Sequence, residues 1–284
     1  MNHRLATLAL GAAALAVFAA PLRADDCAFR AERRFDTDAA GLATLALSTG
    51  AGDLRIEGVP GLARIEVQGK ACASSQALLD AIAFQDRREG EVQRVGTVLP
   101  EVQGGWALFG GGNYAWMDVH VRVPAALALD VRDSSGDIDI AHVGRLALED
   151  SSGDIVVRDV AGDVRIADTS GDIRVEQVGG NVLIPHDSSG DIRIVAVRGN
   201  AEVVEDSSGD IAFERIEGSA RVGSDSSGSI AFRHIGRNAG VDSDSSGDIE
   251  ADDVGGDFRV ARKSGGARNI SHRNVRGSVV LPGG

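Results

Sequence analysis

Asp133–Ile138 reads DSSGDI, and the same six letters or a close copy recur through the rest of the chain. The motif glycines are Gly136, Gly153, Gly171, Gly190, Gly209, Gly228, Gly247 and, in degraded form, Gly265, at spacings of 17, 18, 19, 19, 19, 19 and 18 residues. A fixed period of this kind takes precedence over any local motif. Each period holds two alternating apolar runs. One follows the glycine, as in Ile192/Ile194 and Ile211/Phe213, and one precedes the next motif, as in Ala201/Val203 and Ala220/Val222. A lone apolar residue separates them, such as Val178, Val197 or Ile216.

Alternation with period two places these side chains on one face of short strands. A single coil cannot shelter such a face, whereas stacked copies set each Ile on the Ile of the coil below. The fold class expected is all-β: a parallel β-helix, or β-solenoid, of 17–19 residues per coil with an irregular N-terminal capping insertion. At about 4.8 Å per coil, the eight aligned copies make a rod of roughly 40 Å. The shorter coils lose residues in connecting segments and keep their apolar pairs, as expected where the core sets register. Gly52-Asp53-Leu54-Arg55-Ile56, with Val59, Gly61, Ala63 and Ile65, fits the template as an outlying first coil.

Residues 1–24 carry Arg4, an apolar run over Leu5–Ala20 and a small residue at Ala24, the pattern of a secretory signal peptide. The division expected is 1–24 signal peptide, 25–130 outlying coil plus capping insertion, and 131–284 regular solenoid. No later stretch approaches the length needed to span a bilayer. The chain has 29 basic and 42 acidic residues. Residues 1–24 hold two of the basic ones and no acidic one, so their removal takes the net charge from −13 to −15. Nucleic acid is therefore excluded as a partner on electrostatic grounds. In an oxidising compartment Cys27 and Cys72 are expected to form one disulfide.

The recurring Ser-Gly-Asp-Ile/Val corners, the signal peptide and the outlying coil together resemble a bacterial β-strand-repeat family described as candidate adhesins. The resemblance covers roughly residues 41–284. It implies a right-handed parallel β-helix in the cell envelope, periplasmic or at the surface, and brings no catalytic residues to carry over. The family corner is often Gly-Ser-Gly-Asp, and here Ser replaces the first Gly.

Within DSSGD, turn chemistry is the leading reading: Asp accepts a backbone N–H two residues on, Gly takes positive φ, and stacked serines pass hydrogen bonds along the rod. Two rows of aspartate result. Asp133, Asp150, Asp168, Asp187, Asp206, Asp225 and Asp244 form one; Asp137, Asp154, Asp172, Asp191, Asp210 and Asp248 form the other, interrupted by Ser229. Carboxylates at coil spacing repel by roughly 1 kcal/mol per pair in water and more where water is excluded. Hydration, N–H groups, Arg or a cation must offset this, and calcium is the cation to consider. The spacing differs from glycine-rich calcium nonapeptides, so weak binding is the most the rows suggest. No repeated Ser–His pairing emerges for a nucleophile, and a flat ice-binding array would lack acidic neighbours. Parallel β-helices also serve carbohydrate chemistry, with carboxylates as acid and base, but coils of nearly equal length leave little to build a cleft.

Within the insertion, Ser74-Ser75 caps a helix expected over Gln76–Ala83, and Ala83–Arg88 with Val92–Leu99 reads as a hairpin. A glycine-rich stretch then gathers Trp106, Phe109, Tyr114 and Trp116, a composition suited to capping the first coil or to contacting a glycan or protein. The resulting expectation is a non-enzymatic exported scaffold of structural or adhesive role. The alternatives are a polysaccharide lyase or hydrolase and a calcium-binding surface scaffold. Monomer and end-to-end association remain open at this point.

Overall fold

The computed structural model describes residues 27–102 and 112–283. The stretch 1–24, expected to be a signal peptide, and the aromatics Trp106 and Phe109 lie outside the described residues. The chain folds as an all-β parallel solenoid of about eight regular turns, built from two 12-stranded sheets.

In the coil from Gly190 to Gly209, Ile192–Val197 lies in the first sheet and Ala201–Asp206 in the second. Ile192, Ile194, Val197, Ala201 and Val203 are all 1% exposed or less, so this one turn contributes five side chains to the core. Parallel pairing holds Ile192 level with Ile173 on one side and Ile211 on the other. Each buried Ile or Val is worth about 1.5–3 kcal/mol, a gain available only when neighbouring coils cover it. Bulk is balanced across the interior. Phe213 and Phe232 stack in the first sheet, 5.3 Å apart and 2° from parallel, in coils whose second-sheet run begins with Ala220 or Ala239. The next coil reverses the arrangement, with Ala251 in the first sheet and Phe258 in the second.

The lone apolar residue between the runs has a backbone cause. In each coil from Ile138 onward a non-glycine residue steps into the left-handed region: His142, Asp159, Gln177, Ala196, Arg215, His234, Asp253 and Asn274, with φ from 54° to 62°. That step re-aims the chain so that the following residue, Val197 after Ala196 for example, points inward again.

At the N-terminal end spatial order departs from chain order. In the first sheet Phe29–Asp38 pairs antiparallel with Arg64–Ala73, which pairs antiparallel with Ala115–Pro124. Ala115–Pro124 then runs parallel to Leu54–Val59, and that strand parallel to Ile138–Ala141. In the second sheet Ala83–Glu89 is antiparallel to Val92–Val98, which runs parallel to Thr44–Ser48, itself parallel to Ala128–Arg132. The coil expected to be outermost is therefore an inner one, formed by Thr44–Ser48 and Leu54–Val59. It lies between the array and a coil made from Val92–Val98 and Ala115–Pro124. The stretch after Gly61 also differs from expectation. Ala63 is exposed and Arg64–Ala73 turns back antiparallel, because alternation specifies a face and not a direction.

Helix Gln76–Ala81 is capped by Ser75, whose Oγ accepts from Leu78 N at 3.3 Å. It stops before the expected Ala83 because Ile82 is already extended and Ala83 pairs with Val98. Arg33 donates to the carbonyls of Leu79 (2.9 Å) and Ile82 (2.8 Å), satisfying the helix C-terminus. Leu79 and Ile82 are buried, and the helix packs on Phe29–Asp38 and Arg64–Ala73. Cys27 and Cys72 form a disulfide that ties the start of the described chain to this layer.

Candidate functional site

The DSSGD corners stack into one edge of the rod, and the backbone there is closely fitted. Gly190 has φ +127°, and a Cβ on it would fall 1.9 Å from the carbonyl oxygen of Gly171. Its N–H donates to Ser208 O of the next coil at 3.2 Å. In five motifs the second serine reaches back to the first serine of the preceding coil, for example Ser152 Oγ to Ser134 O (3.3 Å), Ser208 Oγ to Ser188 O (3.1 Å) and Ser227 Oγ to Ser207 O (3.2 Å).

The two aspartate rows have opposite fates. Asp137, Asp154, Asp172, Asp191 and Asp210 are exposed. Each accepts a hydrogen bond from the backbone N–H of its counterpart one coil on: Asp154 N to Asp137 Oδ1 (3.1 Å), Asp191 N to Asp172 Oδ1 (2.9 Å), Ser229 N to Asp210 Oδ1 (2.8 Å). This row extends backwards through Asp53 and Asp118. Burial and the charge of Asp53 both push the Asp118 carboxyl up, against the pull of the Asp53 amide. Asp248 follows the Ser229 interruption and is also exposed.

The other row faces the interior. Asp133, Asp150, Asp168, Asp187, Asp206, Asp225 and Asp244 are between 0% and 7% exposed. Only the second row is outside. Both carboxylate oxygens of Asp133, Asp150, Asp168, Asp187 and Asp206, and Oδ2 of Asp225, are buried without a hydrogen-bond partner. Turn bonds of full quality occur at the last two rungs, Ser227 N to Asp225 Oδ1 (3.1 Å) and Ser246 N to Asp244 Oδ1 (3.0 Å). Burial pushes Asp168 and Asp206 up, and raises Asp133 and Asp150 to about 6 and Asp187 and Asp225 to about 7. Charge on adjacent rungs adds to the rise at Asp150, Asp187 and Asp225, and nearby serine amides counter part of it. Lys263, its side chain 2% exposed, forms an ion pair with Asp244 at the C-terminal end of the row.

The opposite edge carries the left-handed residues and a shallow groove of about 910 Å³ lined by Asp159, Gln177, Ala196, Arg215, His234 and Asp253. His234 Nδ1 lies 3.0 Å from Asp253 Oδ2, and His142 Nδ1 lies 3.4 Å from Asp159 Oδ2. A further ladder, unremarked in the sequence, links backbone amides to side chains along Asp163, Asn181, Asn200, Ser219, Asn238 and Asp257. Its signal was available in the recurrence of Asn, Asp or Ser at 18–19-residue spacing. Among the described residues no cluster of three or more His, Cys, Asp or Glu is placed to hold a metal ion.

Of the aromatic segment, the described members sit beside the disulfide. Tyr114 Oη accepts from Ala28 N at 3.1 Å, and Tyr114 N donates to Ser74 Oγ at 3.1 Å. Half-buried Trp116 pairs across the sheet with Cys72.

Residues 89–275, which hold the regular array and the strands Val92–Val98 and Ala115–Pro124, match the profile of the Toastrack DUF4097 family. The chain belongs to this family. Among solved structures it is similar to a candidate lipid binding protein from Parabacteroides distasonis, at 15% identity over 87% of this chain and 96% of that one, with a TM-score of 0.49. It is also similar to a candidate adhesin from Bacteroides fragilis, at 15% identity over 88% and 96%, with a TM-score of 0.38. A candidate cell adhesion protein from Clostridium sporogenes matches at 10% identity over 89% and 99%, with a TM-score of 0.27. No curated protein matches the sequence. Among the described residues no helix is long and apolar enough to cross a membrane.

Proposed function

We propose that this Toastrack-family chain is an exported, non-enzymatic solenoid with a structural or adhesive role in the bacterial envelope. Its contact surface would lie at the N-terminal end, where Trp106, Phe109, Tyr114 and Trp116 gather along the sequence to meet a glycan or protein. The observation that carries this reading is the uniformity of the array. From Ala128 to Val260 no connection between strands is longer than 185–191, a seven-residue segment, so nothing rises from the rod to wall in a substrate. Side chains that recur on every coil serve stacking, whereas a catalytic centre needs a unique constellation. The aromatic segment belongs to the part of the chain that does not repeat, between strands Val92–Val98 and Ala115–Pro124.

The test combines Trp106→Ala with Trp116→Ala and measures binding of labelled protein to envelope glycans and whole cells. Loss of binding with an unchanged unfolding midpoint supports the contact surface, and unchanged binding removes it. Turnover of a polysaccharide, abolished by one Asp substitution that leaves the fold intact, would instead establish the carbohydrate-active alternative.

A further inference from the structure

The inward aspartates align coil on coil: Asp206 is in register with Asp225, and Asp225 with Asp244. Strand spacing sets successive rungs about 4.8 Å apart, within reach of one another through short side-chain rotations. A column of ionised carboxylates in this setting is untenable, because each would be buried beside like charge, and from Asp133 to Asp206 neither oxygen has a well-formed hydrogen bond to offset it. The groups that face it are few. Thr49 lies at the Asp133 end, and its hydroxyl donates to Arg132 O at 3.5 Å. The amides of the two residues after each Asp line the turn, and His186 approaches Asp168. From outside the corner Asp53, Asp154 and Asp191 face Asp133, Asp168 and Asp206 with further negative charge. Arg132 is engaged by Glu149 at 3.0 Å. Lys263 supplies a buried positive charge, at the last rung only.

We propose that the seven inward aspartates, from Asp133 to Asp244, form a proton-sharing column: a carboxylic acid on one coil donates its hydrogen bond to the carboxylate of the next, and Lys263 terminates the series. Each shared proton supplies the donor that the unpartnered oxygens lack and removes one of two repelling charges. The column makes the rod a proton-binding scaffold, and acidification tightens it. Burial raises Asp133, Asp150, Asp168, Asp187, Asp206 and Asp225 above their value in the unfolded chain, to about 6 at Asp133 and Asp150 and about 7 at Asp187 and Asp225. The folded state thus binds more protons than the unfolded one. Stabilisation by the column is complete below about pH 4, the ordinary Asp range, and is lost as pH rises through 6 to 7. Each excess proton changes the folding equilibrium up to about tenfold per pH unit, and neighbouring rungs titrate as a coupled set.

The experiment is thermal unfolding of the full mature chain, disulfide intact, at matched ionic strength from pH 8 to pH 5, alongside infrared detection of protonated carboxyl groups in the folded protein. The expected result is a midpoint that rises by roughly 5 °C or more on acidification and a carboxylic-acid band that persists at pH 6.5. Asp187→Asn and Asp206→Asn should each flatten the rise without lowering the midpoint at pH 8. Should either variant fail to fold, the infrared band of the parent protein still decides the matter. A midpoint that falls steadily from pH 8 to 5, or the absence of the acid band at pH 6.5, overturns the proposal. So does a calcium- or magnesium-dependent rise at pH 8 that reproduces the effect of acid, since the column would then be neutralised by a cation.

Discussion

Lys263→Met isolates the energetics of the corner at a single position. The lysine side chain is 2% exposed and the Asp244 side chain fully buried, with Ser246 N bonding the other carboxylate oxygen at 3.0 Å. Met retains much of the aliphatic volume and removes the charge, so the loss registers an uncompensated buried carboxylate, not a cavity. Breaking a buried pair from one side costs about 3–5 kcal/mol. In a chain of this size 1 kcal/mol moves the midpoint by about 2–4 °C, giving an expected fall on the order of 6–20 °C. Because stability in a solenoid is a sum over neighbouring coils, the damage should concentrate in the C-terminal turns, seen as faster amide exchange over residues 239–275. Asp244→Asn alone should cost a comparable amount by stranding the ammonium. The double variant Lys263→Met with Asp244→Asn should recover most of the loss, leaving a coupling energy of about 2 kcal/mol or more in urea denaturation at pH 7.5. A single variant within about 1 kcal/mol of the parent, or a double variant no better than the worse single, would falsify the assignment of Lys263 as the counter-charge of the column.

Three further outcomes test the frame. Gly190→Ala places a Cβ 1.9 Å from Gly171 O on a residue at φ +127°, so it should cost about 3 kcal/mol or more; a denaturation midpoint shift below about 1 kcal/mol contradicts the close approach of the corners. Ala196→Gly relieves a left-handed alanine at φ 58°; strain relief of about 1–2 kcal/mol, partly offset by the greater entropy of glycine in the unfolded chain, should raise stability by about 0.5 kcal/mol, and a loss in calorimetry refutes it. Reducing Cys27–Cys72, separated by 45 residues, should cost about 4 kcal/mol by chain entropy, read from unfolding with and without reductant; a change under about 1 kcal/mol means that the hydrogen bonds of Tyr114 and Arg33 hold this end unaided.

The repeat made the solenoid legible because stacking demands the same apolar positions in every coil, and those positions are visible as Ile/Val pairs at a fixed period. Spatial order at the N-terminus was not legible. The alternation of Leu54/Ile56, Val92-to-Val98 and Met117–Val123 states which side chains face inward, and is silent on which coil lies beneath which. The inward direction of the first Asp row was legible in part. In the short coils Leu146, Leu148 and Asp150, or Val164, Ile166 and Asp168, continue one period-two series, so the acid occupies the next core position. The longer coils obscure this: between Val203 and Asp206 two residues point outward before the chain turns back in. Charge favoured a surface reading, and only the register of the sheet overrides it. The left-handed step before Val197 and its equivalents left no common residue type in the sequence, since His, Asp, Gln, Ala, Arg and Asn all occupy it.

The contrast between the two edges bears on why the corner contains acid at all. Along the opposite edge the ladder through Asp163, Asn181, Asn200, Ser219, Asn238 and Asp257 mixes three residue types. All that is required there is an oxygen able to accept the next amide, and solvent screens whatever charge accompanies it. At the corner the inward position is Asp in all seven copies, although Asn could accept the same turn amides without the cost of burying charge. An amide would also have supplied donors for its neighbours. What an acid provides and an amide does not is a proton that can be gained or lost. Spread along the rungs from Asp133 to Asp225, that exchange acts on the whole rod at once, through the same register that aligns its core. Stepwise Asp→Asn replacement along the column should therefore reduce the pH dependence in proportion to the number of rungs changed. A response concentrated at one rung would mean that a single aspartate, and not the column, carries the titration.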